Sequence, residues 1–179
     1  MDDAPEGSGS DPGIPDPDEE MPNQAAMANW DAVVADMEAT AAEYEDAGWE
    51  TLQIHPGDVA VLDGEDGRGP GFDVVVPDPE FEALAEIFES GTDVEETAVF
   101  RASVESMTYL VLVLQHADGT AVLVPAYYRV GDPGVEAAFR RAEATGEFRT
   151  RLRTLTHDQI VVSHEDPSLF APAEAGDGD

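Results

Sequence analysis

An α+β fold, with an antiparallel β-meander packed by two or three helices behind a disordered acidic tail, is predicted by three features of the sequence. Thr97–Glu105 alternates apolar and polar residues, Tyr109–Leu114 is apolar throughout, and Asp118-Gly119 marks a tight turn into a further apolar run, Ala121–Tyr128. This is the pattern of a half-covered strand, a central strand and a hairpin. Three other stretches carry apolar residues at helical spacing between helix-capping residues. Residues 1–28 are rich in Pro, Gly and Asp and lack a core-sized apolar cluster, so ordering them is not offset by burial.

The first helix is expected from Asn29, a good N-cap, with Trp30, Val33, Val34, Met37, Ala41 and Tyr44 on one face and Gly48 past its end. Short strands follow at Glu50–Ile54 and Val59–Leu62, with His55-Pro56-Gly57-Asp58 as the turn. A glycine-rich loop, Asp63–Gly71, leads into the strand Phe72–Val76. Asp78-Pro79-Glu80 opens a second helix, burying Phe81, Leu84, Ile87 and Phe88 and stopping at Gly91. After the meander, in which Pro125 signals an edge or a bulge, Asp132-Pro133 opens a third helix that ends before Gly146. Phe148–Leu155 and Gln159–Ser163 close the fold as strands. The chain thus reads as a tail (1–28), one α+β domain (29–170) and a loose C-terminal end (171–179).

Charge sets the physical context. Forty Asp and Glu face eight basic residues, all of them Arg, for a net charge of −32. Eight acids lie in the first twenty residues and three in the last nine, so a net charge of about −21 belongs to the body. On a globule of about 19 Å radius in water, that excess carries roughly 40 kcal/mol of mutual repulsion. Unfolding would relieve about 20–30 kcal/mol of it, more than a typical stability of about 5–15 kcal/mol. At molar salt the Debye length falls to about 3 Å and most of this term disappears. The composition therefore implies a salt-in halophile whose folded state requires concentrated K+.

Several chemistries are excluded by residue type. The chain has no Cys, which removes disulfides, thiolate metal sites and thiol nucleophiles. It also lacks Lys, and with it Schiff-base chemistry and the P-loop ammonium. No apolar run is long enough to span a bilayer, and neither a basic leader nor a twin-arginine signal opens the chain, so a cytoplasmic location is expected. Gly64, Gly67, Gly69 and Gly71 fit neither nucleotide-binding fingerprint and precede a strand, so the loop reads as a flexible surface connection. His55, His116, His157 and His164 show no helical zinc spacing, and no metal or cofactor is expected. His164-Glu165-Asp166-Pro167 is either a polar turn or the source of a general base. Trp30, Trp49, Tyr127 and Tyr128 read as core aromatics, or else as the lining of a small pocket.

The arginines form the other candidate site. Arg149, Arg151 and Arg153 share one face of a strand, opposite Phe148, Thr150, Leu152 and Thr154. Such a row can bind phosphate, a carboxylate or a protein partner through bidentate hydrogen bonds. Equally, scarce cations can be placed to neutralise the protein's own acids. Nucleic acid is not expected as a partner, since the surrounding field is negative and concentrated salt removes counterion-release affinity.

The segments WDAVVADMEATAAEYEDAGWE, HPGDVAVL, VFRASVESMTYLVLVLQ, TAVLVPAYY and HEDPSLF together resemble an uncharacterised family of small acidic haloarchaeal proteins, over roughly residues 29 to 170. The resemblance implies a halophilic source and no particular activity. The residues themselves point to a non-enzymatic interaction or regulatory module, with a homodimer or another protein as partner. The alternative is a small-anion binder or hydrolase combining the Arg149/Arg151/Arg153 face with His164, Glu165 and Asp166. The charge argument makes the first prediction: circular dichroism across a KCl series will show the fold lost in dilute buffer. A native spectrum with an undiminished melting temperature at low salt would contradict it.

Overall fold

The computed structural model describes residues 17–65, 67–89, 94–156 and 158–171, with side chains from Asn29 onward. Residues 1–16 and 172–179, which hold most of both expected tails, lie outside the described residues, as does His157. The chain divides into a unit ending at Ala32 and a unit from Val33 onward that holds all the strands. Helix α1 spans Pro17–Asp46 and so begins ahead of the expected Asn29 cap. The local sequence accounts for this: Pro17 presets φ for a first turn, acids follow it, and Gln24-Ala25-Ala26-Met27-Ala28 are good helix formers. Gly48, at φ 100°, ends the helix as expected.

Eight strands follow: β1 (Glu50–Gln53), β2 (Asp58–Leu62), β3 (Gly71–Val75), β4 (Val94–Val104), β5 (Met107–His116), β6 (Thr120–Arg129), β7 (Phe148–Arg153) and β8 (Gln159–His164). Helix α2 (Asp78–Glu89) joins β3 to β4, and α3 (Pro133–Thr145) joins β6 to β7. Each strand lies within a few residues of its expected place, and the class is α+β. The meander exists as β4–β5–β6, but the remaining strands do not extend it. They divide between two four-stranded sheets, ordered β1-β6-β5-β4 and β2-β3-β7-β8. Each sheet contains one parallel pair, β1 with β6 and β3 with β7. Pro125 is tolerated in β6 because β1 stops opposite Leu123, so beyond that point β6 is paired only with β5.

β5 is buried at nearly every position, because the chain covers both faces of its sheet. On one face lies α1, whose Val33, Met37 and Ala41 are buried and whose Tyr44 hydroxyl accepts from Gln115 at 2.9 Å. On the other lies the second sheet: Phe72 of β3 stacks on Tyr128 of β6 at 6.3 Å, and the Tyr128 hydroxyl donates to the Phe170 carbonyl at 2.6 Å. Phe148 completes this core, edge-on to Phe72 and stacked on both Phe139 of α3 and Phe170. α3 is capped as its sequence predicts, with Asp132 accepting from the Gly134 and Val135 amides and Gly146 at φ 77°. At the start of α2, Glu80 fastens the β1–β2 turn, accepting from the His55 amide and pairing with its ring, both at 2.7 Å.

Gly71 is required by close approach rather than by φ. A Cβ there would fall 1.8 Å from the Arg149 carbonyl oxygen of the neighbouring strand, so no side chain fits without separating β3 from β7.

Candidate functional site

The second sheet places the arginine row and His164 on opposite faces. Residues 148, 150 and 152 of β7 point into the core, while Arg149, Arg151 and Arg153 take the opposite face, as their alternation predicts, with Arg151 buried there. His164 of β8 is an inward residue, with Nε2 lying 2.9 Å from Thr150 Oγ1. The two groups that a combined anion-binding or hydrolytic site would need are therefore separated by the sheet.

Each arginine of the row has partners within the chain. Arg149 and Arg151 both donate to the carbonyl of Arg68, at 2.7 and 3.2 Å. Arg153 Nε lies 3.0 Å from each carboxylate oxygen of Asp73. Arg149 also reaches Glu147 at 3.2 Å. The Glu147 carboxyl is held below its usual range, first by the Ser163 hydroxyl and then by Arg149. From α3, Arg141 donates to the Asp63 carbonyl at 2.8 Å. The glycine-rich loop, expected to be a flexible surface connection, is thus tied down through two backbone carbonyls by three guanidiniums. Its glycines are needed for that docking. A Cβ on Gly64 would meet Arg141 Cδ at 2.8 Å and one on Gly69 would meet Arg149 Nη1 at 2.9 Å, and both residues have φ near +90°. Sequence reading treated the loop and the row as separate features, because a backbone carbonyl acceptor leaves no trace in residue identity.

His164 is 5% exposed and lies beside the Phe170 ring, 4.7 Å between centroids. Its Nδ1 lies 3.3 Å from Thr97 Oγ1 on β4, so the two threonines engage both ring nitrogens. Burial pushes the imidazole down to about 4, and near neutral pH it is uncharged. A cleft of about 340 Å³ between β4 and β8 is lined by Glu95, Glu96, Thr97, His164, Glu165 and Asp166, at the lower end of the size of ligand sites. Asp166 turns back to cap the chain, accepting from the Ser168 amide at 3.1 Å and its hydroxyl at 2.5 Å. This is the role expected of an Asp before Pro. Among the described residues, no three His, Asp or Glu side chains are placed to hold a metal ion, and no helix is long and apolar enough to cross a membrane. Of the candidate aromatic residues, Tyr128 belongs to the core, and Trp49 packs edge-on against Tyr44 at 5.6 Å.

The feature that sequence reading missed is the outer edge of the first sheet. β4 is its terminal strand, and from Phe100 to Val104 every residue is exposed. Phe100 is 50% and Val104 40% exposed, on the same face as Ala98 and Ala102. Thr97–Val104 contains a single charge, Arg101, whose guanidinium turns to the carbonyls of Ser168 and Ala171. Alternation reveals which face a residue takes but not whether its strand has a neighbour. The only available signal was the acid-free run bracketed by Glu95-Glu96 and Glu105.

A family model matches residues 18–172, and its family, DUF7529, is described as one of unknown function. No curated protein and no solved structure matches the chain.

The buried imidazole makes a signed prediction. The unfolded chain takes up a proton near pH 6.5, whereas the folded one does so only near 4. The stability that neutral His164 contributes is full above pH 6.5 and is lost as pH falls from there towards 4. In denaturant titrations at constant high salt, this chain should lose about 3 kcal/mol more than His164→Gln across that window. Parallel pH profiles for the two proteins would contradict the assignment.

Proposed function

The chain belongs to the DUF7529 family, and on that premise we propose that it is a non-enzymatic interaction module of a salt-in haloarchaeal cytoplasm, engaging a protein partner along β4. One observation carries this reading. The terminal strand of the first sheet has no strand on its outer side among the described residues and carries an uncharged stripe, Ala98, Phe100, Ala102 and Val104, in a chain otherwise dense with carboxylates. Native proteins usually blunt such an edge with charge or Pro, and β4 contains neither between Thr97 and Phe100. An exposed edge of this kind binds by strand addition, in which main-chain hydrogen bonds supply affinity and alternate side chains supply register.

On the same reading, the residues that suggested chemistry have structural duties. The arginine row holds the glycine-rich loop, and His164 joins β4 to β7 through two threonine hydroxyls. The doubly apolar β5 is covered from within, so recognition falls to the edge of its sheet rather than to a face.

The test is a pull-down in molar KCl with the full chain as bait, alongside Phe100→Asp and, as a control, Glu136→Gln on the exposed side of α3. Phe100→Asp should lose the partner that the other two retain. Its stability should stay within about 0.5 kcal/mol, as for most surface substitutions. Retention of every partner by Phe100→Asp would refute the reading.

A further inference from the structure

Building on that reading, we propose that the partner at β4 is a second copy of this chain, with the two β4 strands pairing antiparallel across a twofold axis to join the β1-β6-β5-β4 sheets into one of eight strands. The first argument is charge. Two chains of −32 each can approach closely only where neither presents carboxylates, since at molar salt repulsion persists only within about 3 Å. Thr97–Val104 is such a stretch: it is free of acids, it is exposed from Phe100 onward, and its one cation is turned to the carbonyls of Ser168 and Ala171.

The second argument is self-complementarity. The exposed face alternates small and large residues, Ala98, Phe100, Ala102 and Val104. In a twofold antiparallel pair, directly opposed residues lie on the same face. A register that sets Phe100 against the partner's Ala98 therefore sets a large side chain against a small one on both sides of the axis. Beside the stripe, α1 and the sheet leave a groove of about 280 Å³, lined by Val33, Thr40, Phe100, Ala102 and Tyr109 among others. That is below the roughly 300–1,000 Å³ of small-molecule sites and suits a protruding aromatic ring from the partner strand.

The bracketing acids give the dimer a signature. Antiparallel pairing brings Glu95 and Glu96 of each chain towards Glu105 of the other, so association must strengthen as salt rises.

Light scattering on the full chain, at micromolar to millimolar concentration in 2 and 4 M KCl, should show twice the 19.1 kDa chain mass, with the dimer more populated at the higher salt. Phe100→Asp should raise the dissociation constant at least tenfold. Because the chain has no Cys, Val99→Cys, which lies on the twofold axis in this register and faces its own copy, provides a unique crosslinking position in a protein whose fold is checked by circular dichroism. Under oxidising conditions it should form a covalent dimer at least tenfold faster than Glu136→Cys on α3. A monomeric chain at every concentration, or equal crosslinking rates, overturns the dimer. The broader interaction reading is judged separately, by whether Phe100→Asp loses a partner in the pull-down.

Discussion

The mutual repulsion of forty carboxylates, opposed by eight guanidiniums and no ammonium group, is the constraint on which the rest of this structure depends. It governs where cations are placed. Arg101, Arg141, Arg149 and Arg151 all donate to backbone carbonyl oxygens, whereas Arg153 meets a carboxylate through Nε. A guanidinium–carbonyl hydrogen bond acts at contact range and keeps its strength when salt screens longer-range attraction. An exposed ion pair is worth about 0–1 kcal/mol even before concentrated salt weakens it. Scarce cations are thus used where they fasten chain segments.

The same constraint shapes the interior. The fold joins its two sheets through aromatic packing, with Phe72, Phe148, Phe170, Tyr128 and Phe139 in mutual contact, and such burial does not depend on screening. The polar link between facing strands of the two sheets, Thr97–His164–Thr150, uses a neutral imidazole. On the account proposed above, recognition follows the same rule. The surface left for a partner is where charge is absent, and main-chain groups of β4 replace the ion pairs of an ordinary interface.

Local signals were legible in the sequence, and long-range ones were not. Gly48, Asp132 and Gly146 marked helix ends because capping chemistry resides in single residues. The strands were legible because period-two alternation is local, and the shared face of Arg149, Arg151 and Arg153 was correct for the same reason. The division into two sheets was not, since the parallel pairing of β3 with β7 joins segments on either side of α2, the meander and α3. Placing His164 on the face opposite the arginines required the β7–β8 register, Phe148 against His164. The start of α1 at Pro17 was obscured because a Pro- and Asp-rich composition argued for disorder across a stretch that also contains strong helix formers.

The claim that the arginines are structural is tested most directly by Arg151→Gln, melted in 3 M KCl beside Arg140→Gln on the exposed side of α3. Arg151 is 5% exposed and donates to the Arg68 carbonyl, so its loss should cost about 1–3 kcal/mol, while the Arg140 change stays within about 0.5 kcal/mol. Added phosphate should raise the melting temperature of neither the unaltered chain nor the variants. A normal melting temperature for Arg151→Gln, together with a phosphate-dependent rise in the unaltered chain that this variant lacks, would show that the row is an anion site instead.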